Sequence, residues 1–470
     1  MLMKKFNKSK DTICLVNHIG LDIKKWAFFP IGTALISAVL KGAGYKVRVL
    51  DLDSDPGLED EISNYNVIMF GLIAGPSLTF GLDKIEKLKA MEDKTVIVGG
   101  VFTNSIPKQV LEETKADFIV YGDAEEALIQ LLKALEGKGK LEDIKGVGYR
   151  KNGEIVLTPS PIIRDLDSLP FPDIEAFDAE MYIKNTDLKL GVRSINWYTS
   201  RGCDFDCQFC SHLRNWRGYS AERMVKDLKF LKNKYNIGGV WFFDDNFMQN
   251  VKRNNEFCDL AVKENLNIKW GCESRVTSIT EERVMKMKEA GCVTIRNGLE
   301  SGSDRILKVM HKEATVQDAK NAILIMTKYD MPIKGAFIFG SPTETLEDAK
   351  ETLKFIKWIY KVNPKSNLRT CFFTPRPATP WYDLAIQKGM KEFKLRDWAE
   401  AYNPDKIYFN MSEMTERQIK RLMKRIELYK FLARPEKMKK IFGKISYTIK
   451  LKFTFLNGTI KDHMIQYADN

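Results

Sequence analysis

Nowhere do the 470 residues contain an apolar run of the roughly 18–20 residues needed to cross a bilayer. The N-terminal stretch MLMKKFNKSKDTICLVNHIG has basic residues but neither a long apolar core nor a small-residue cleavage site. It does not read as a signal peptide, and the expectation is a cytoplasmic protein. Cysteines are few and unevenly placed. Of eight, Cys14, Cys258, Cys272, Cys292 and Cys371 stand singly, whereas Cys203, Cys207 and Cys210 fall close together. A secreted disulfide scaffold is shorter and spreads its cysteines more evenly, so that class is excluded and the cluster points to metal. There are no internal repeats of solenoid type and no low-complexity segments.

Hydrophobic residues make up 44% of the chain and charged residues 29%, a globular composition long enough for two or three domains. The net charge of +12 is concentrated at the end. Between Arg417 and Lys452 there are thirteen Lys and Arg against two acids, Glu427 and Glu436, so the rest is close to neutral. A nucleic-acid binder spreads its basic surface further, and no strong nucleic-acid signal is present. The tail, with its alternating IFGKISYTIKLKFTFL, suits an anionic membrane surface or an acidic partner, the first of which would attach the protein peripherally to a membrane. The competing reading is a solvated helical face.

Strand and helix patterns alternate from the start. TICLV, YKVRVLDLD, NVIMFGLIA, KTVIVGG and DFIVYG read as strands with helices between them, a Rossmann-like parallel sheet over 1–160. GVGYRK and EIVLT flank Asn152-Gly153 as a hairpin. RDLDSLPFPD, with Pro170 and Pro172, reads as a linker within 161–193. A second α/β series over 194–385 has six strands: INWYTS, GGVWFFDD, IKWGCES, CVTIRNGLE, IKGAFIFG and LRTCFFTP. The basic C-terminal region, 386–470, is helical, with Thr415 and Gln418 as a capping box opening a helix to about Arg434.

The chemistry centres on TSRGCDFDCQFCSH, where Cys203, Cys207 and Cys210 are spaced C-x3-C-x2-C directly after the first strand of the second series. Thiolates suit iron–sulfur clusters or zinc. Closed structural sites have four protein ligands, so three leave an iron with an open position. The alternative is zinc with His212 as fourth ligand, but a single residue separates His212 from Cys210.

This loop resembles that of the radical S-adenosylmethionine (SAM) superfamily, including the aromatic Phe209 before the third cysteine. GVWFFDDNF, WGCESRV, IRNGLESG, FIFGSPTET and FTPRPATPWYD follow in the order of that family's later strands. The resemblance implies a partial (β/α)6 barrel over about 195–385 and a [4Fe–4S] cluster on the three cysteines. The open iron would chelate SAM, and an electron from an external donor would cleave it to a 5′-deoxyadenosyl radical. It further implies that Asp244, Asp245 and Asn246 meet the SAM amino group and Arg275 its carboxylate. Glu300 and Ser301 would bond the ribose, and Gly340 and Pro342 would let backbone approach adenine.

The front region resembles the cobalamin-binding class of that superfamily, through FFPIGTALISAVLKGAGYKVRVLD, VIVGGVFTNSIP, DFIVYGDAEEAL and the linker. By that resemblance Gly99, Gly100, Ser77 and Thr79 receive the cofactor's nucleotide tail. The D-x-H-x-x-G signature of many cobalamin domains is absent, since Val16 and Leu21 stand where Asp and Gly would flank His18. The resemblance implies cobalamin-dependent methylation of an unactivated carbon. A radical cyclase or rearrangement enzyme and a non-catalytic iron–sulfur or cobalamin sensor are the alternatives. Peptide, lipid, tetrapyrrole and natural-product substrates all occur in the class.

Overall fold

The structure, a computed structural model, describes residues 6–20, 27–91, 93–185, 190–401, 403 and 406–433. The tail beyond 433, with the proposed surface-binding segment, lies outside the described residues, as does Leu21. The chain forms two compact units. The first comprises 1–274, 285–293 and 374–408, and the second 275–284, 294–373 and 409–470.

The first unit opens with β1 (Thr12–Asn17), β2 (Lys46–Asp51), β3 (Val67–Gly71), β4 (Thr95–Gly99) and β5 (Phe118–Val120). Their near-continuous apolar runs suit a sheet covered by helices on both faces. They pair in parallel in the order β2-β1-β3-β4-β5. The order reverses between β1 and β3, which opens a crevice beyond their carboxyl ends where such sheets receive ligands. The expected hairpin is β6 (Val147–Lys151) and β7 (Glu154–Leu157), with Asn152 and Gly153 both at positive φ, 52° and 88°. It does not stand apart. β6 pairs antiparallel with β5, so the sheet has seven strands and a mixed edge.

Two stretches differ from the sequence reading. The proline-rich segment 161–193 is packed, because its prolines stop a long helix but leave room for short ones. It carries two 3-10 turns and the helix Ala179–Asn185, and the buried Tyr182 donates its hydroxyl to Asp51 at the end of β2 (2.9 Å). The second stretch is the helix Leu395–Glu400. Its Leu395 and Trp398 join the core of the N-terminal sheet, beside Phe102, Val110 and Leu111.

The first unit also holds β8 (Ser194–Trp197), a two-residue antiparallel pair of β9 (Ser200–Arg201) and β10 (Arg217–Gly218), β11 (Gly239–Phe242) and β12 (Lys269–Ser274). β11 lies parallel between β8 and β12. β13 (Cys292–Glu300) runs into the second unit, where it pairs in parallel with β14 (Ile333–Phe339), and β14 with β15 (Asn367–Phe372). β8, β11, β12, β13, β14 and β15 are the six expected strands of the second series, and their pairings within each unit are parallel. Helices of the second unit open on capping boxes at Thr315–Asp318, Thr345–Asp348 and Thr415–Gln418. The last begins the expected basic helix, Glu416–Leu432. Among the described residues no helix is long and apolar enough to cross a membrane.

Candidate functional site

Cys203, Cys207 and Cys210 lie on one loop between β9 and β10. Cys203 and Cys207 are 7% and 8% exposed, and Cys210 faces solvent. Backbone bonds shape the loop: Cys203 N–H donates to the Leu213 carbonyl (2.9 Å) and Cys210 N–H to that of Cys207 (3.1 Å). Gly202, at φ +79°, has no room for a Cβ, which would come within 2.9 Å of the Leu213 oxygen. The His212 ring bridges Cys210 Sγ (2.9 Å) and the Phe205 carbonyl (3.1 Å). Phe209 packs against Trp381, ring centroids 5.7 Å apart. Among the described residues no three His, Cys, Asp or Glu side chains already form a metal-holding group. The loop thus supplies soft donors at the required spacing without drawing them together, a step that metal binding itself drives.

The strand ends beside the loop divide the residues expected to meet SAM into two kinds. Asp244 is buried and occupied. It accepts from the Thr199 N–H (2.6 Å) and hydroxyl and lies 3.8 Å from Arg253, tying the end of β8 to that of β11. Asp245 is exposed and accepts from Gly202 N–H (3.1 Å), and burial nonetheless raises its pKa. Tyr198 behaves alike: 44% exposed, its hydroxyl is pushed up by desolvation and then by Asp245 and Asp244. Accessible groups that still feel desolvation belong to the wall of a recess.

Asn246 is buried. Its Nδ2 donates to Gln249 Oε1 (2.7 Å) and its Oδ1 has no partner. Ser200 Oγ and Ser274 Oγ are likewise buried without partners. Three orphaned polar atoms on β9, β12 and the turn after β11 fit a polar ligand, since such atoms are costly to bury unpaired. Sequence reasoning missed Ser200 and Ser274. A lone serine carries no sequence signal of its own.

In the second unit, Arg275 is buried. Glu300, at φ +57°, ends β13 on a bulge and pairs with the buried Lys312 (3.0 Å). A Cβ at Gly298 would strike both members of that pair. Ser301 accepts from Ser303 N–H (3.1 Å) and meets Thr352 Oγ1 at 3.2 Å. Gly340 and Ser341 donate their N–H groups to Glu344 Oε2 (2.6 and 3.1 Å), so the Gly340 amide is already committed. At its Cα the space is open, with Ile419 3.9 Å from an added Cβ. Pro342 is buried beside it.

At the carboxyl edge of the N-terminal sheet, the glycines separate by cause. Gly100 (φ +98°) is required by the chain, because a Cβ would sit 2.7 Å from the Leu72 oxygen. The Gly99 carbonyl accepts from Leu72 N–H (2.8 Å) and Thr103 Oγ1 (2.9 Å). By contrast, Gly71 has nothing within 4 Å of an added Cβ and an ordinary φ, whereas Gly75 has the same open space but a φ of +99° that itself favours glycine. Ser77 is buried in the first turn of the helix Pro76–Lys89 and Thr79 is exposed. Ile73, on the loop beyond β3, and Val101, which opens the short helix Val101–Ser105 beyond β4, are 40% and 66% exposed. Accessible apolar side chains beside open glycines fit a large flat cofactor. His18, beyond β1, lies against the Phe80 ring (4.4 Å) and 3.2 Å from Asp53.

Comparison with known proteins finds both domains. The radical SAM superfamily model matches residues 197–356, and the B12-binding domain model matches 26–132. An uncharacterized methyltransferase of Pyrococcus horikoshii is 29% identical over 436 residues, 90% of this chain and 92% of its own length. The anaerobic magnesium-protoporphyrin IX monomethyl ester cyclase of Cereibacter sphaeroides is 29% identical, covering 81% of this chain and 62% of that protein. Among solved structures, the cobalamin-dependent SAM radical enzyme OxsB with aqua-cobalamin and SAM bound shares the fold. Its TM-score is 0.68 at 19% identity, over 97% of this chain and 75% of that one.

The chain is therefore a radical SAM enzyme carrying a B12-binding domain. Its cofactors are a [4Fe–4S] cluster, SAM and cobalamin.

Proposed function

We propose that this enzyme methylates an unactivated carbon in a cobalamin-dependent radical reaction. The observation that carries the reading is the pairing, in one chain, of a three-cysteine loop with a cobalamin-type sheet whose carboxyl edge is open and apolar. The similarity to a methyltransferase over 90% of the chain supports it. When bound, the cluster, SAM and corrin supply a radical that removes hydrogen and a methyl group that replaces it.

The chain's residues bind and orient. Cys203, Cys207 and Cys210 are the three ligands, and their number leaves one iron open. Asn246, Ser200 and Ser274 offer unpaired polar atoms to SAM, and Asp245 is the accessible carboxylate for its amino group. Arg275 is the cation for its carboxylate. Asp244 acts through Thr199 and Arg253, as a brace. Glu300 is held for a ribose hydroxyl by Lys312, and Ser301 supports the same turn. Gly340 and Pro342 flank the adenine. Gly71, Gly75, Ser77, Thr79 and Gly99 line the approach of the corrin's tail. The electron would come from an external donor.

The test is anaerobic reconstitution with iron, sulfide and methylcobalamin, followed by SAM and reductant. The wild type yields 5′-deoxyadenosine and a corrin absorbance, and Cys207→Ala yields no 5′-deoxyadenosine. A Cys207→Ala variant that still makes it would refute the cluster assignment. Product mass decides against a cyclase: methylation adds one methyl group and releases S-adenosylhomocysteine.

A further inference from the structure

The cysteine loop hangs from a neck that is poorly made by itself. β9 and β10 are two residues each, too short for independent stability, and they set Arg201 directly opposite Arg217. Like charges facing across a ladder repel. Bonds within the loop, from Cys203 N–H to the Leu213 carbonyl (2.9 Å) and from Trp216 N–H to Asp204 (2.8 Å), help to close the neck but do not offset the two facing arginines.

The closing charges come from far along the chain, in the turn after β5 at the carboxyl edge of the cobalamin-type sheet. Asp123 accepts from Arg201 Nη1 (2.6 Å) and, through both oxygens, from Arg217 Nη2 (2.8 and 2.7 Å). Glu125 accepts from Arg201 Nη2 (2.5 Å). Asp123, Glu125 and Arg217 are all buried. Asp123 is the N-cap residue of the helix Ala124–Leu135, where an aspartate normally accepts from the first turn's N–H groups. Here its side chain makes no such bond. It is given to the two arginines and to Ile163 N–H (2.6 Å) instead. The helix forgoes its cap, and the neck gains its counter-charge.

We propose that Asp123 and Glu125 are positioning residues for the iron–sulfur cluster: by pairing Arg201 with Arg217 they fix the loop that presents Cys203, Cys207 and Cys210. The inference rests on those cysteines being the ligands. It makes the cobalamin-binding segment part of the cluster site, since one turn borders the corrin edge and grips the loop.

The experiment compares wild type, Glu125→Gln and the double variant Asp123→Asn/Glu125→Gln after anaerobic reconstitution. It measures iron retained against a chelator, the electron paramagnetic resonance (EPR) spectrum of the reduced cluster with and without SAM, and corrin absorbance. The double variant is expected to hold iron about 10-fold less tightly, as for loss of groups that orient metal ligands. Its SAM-induced spectral change weakens while corrin absorbance stays. Glu125→Gln shows the same change to a smaller degree. Should the double variant lose corrin absorbance as well, Glu125→Gln decides. Wild-type iron retention and spectra in Glu125→Gln would then overturn the proposal, as they would in the double variant if it folds. A wild type that takes up no cluster refutes the assignment of the cysteines, a separate failure.

Discussion

Asn196 on β8 brackets the backbone of Phe29: its Oδ1 accepts from Phe29 N–H (2.7 Å) and its Nδ2 donates to the Phe29 carbonyl (3.0 Å). Both residues are buried. A side-chain amide carries a donor and an acceptor side by side and so can satisfy both groups of one residue's backbone. This clasp joins the loop before the first helix of the cobalamin-type sheet to the first strand of the second series. Asn196→Ala leaves the buried Phe29 N–H unpaired, at a cost of about 1–3 kcal/mol, while the Phe29 carbonyl keeps its bond from Ile31 N–H (2.9 Å). The expected result is a lower denaturant midpoint, with an unchanged midpoint contradicting the clasp.

The glycines at the cobalamin edge give a paired test. Gly100→Ala forces a Cβ against the Leu72 oxygen at positive φ and destabilises the fold by about 1–3 kcal/mol. Gly71→Ala meets nothing within 4 Å, so its stability stays within about 0.5 kcal/mol of wild type. Corrin absorbance after reconstitution should nevertheless fall in Gly71→Ala. Normal corrin uptake by that variant would remove Gly71 from the cofactor's path.

Glu344 makes stability depend on pH. The carboxyl is fully buried, and burial raises its pKa from the ordinary 4.5 to about 7 against the lowering effect of the Gly340 and Ser341 amides. The folded state therefore holds a proton that the unfolded chain releases. Its contribution is fully present below pH 4.5 and is lost as pH rises to about 7, an effect of about 3 kcal/mol. Stability curves at pH 5 and pH 8 should show this fall, and Glu344→Gln should flatten it. An equal fall in the variant would assign the dependence elsewhere.

Trp398 is the largest side chain that the C-terminal segment adds to the N-terminal core. It is buried against Phe102, Tyr382 and Phe393, with centroids 6.2, 5.0 and 4.9 Å away. Trp398→Ala should cost about 3–5 kcal/mol. Thermal unfolding followed through corrin absorbance should shift downward with it, whereas a surface role for this helix predicts no shift.

Much of this was legible because it is local. C-x3-C-x2-C places three thiols on one loop whatever surrounds it, and apolar runs between helical stretches mark the parallel strands of both series. Asn152-Gly153 marked the hairpin through the positive φ that its turn demands. The strand ends were legible along the chain, whereas the environment of each residue on them was not. Asp244 and Asp245 are adjacent and chemically identical, and what separates them is burial against Thr199 and Arg253.

By itself the sequence determined the order of elements, the soft-donor loop and the kinship to radical SAM and B12-binding domains. Only the tertiary structure decided that Asp123 serves Arg217 rather than its own helix, that Trp398 belongs to a core nearly three hundred residues upstream, and that Gly100 lies against the Leu72 backbone. Periodicity and spacing report which face of an element is buried. They carry no information on which distant group meets that face, because the choice of partner is settled by packing and charge pairing across the whole chain.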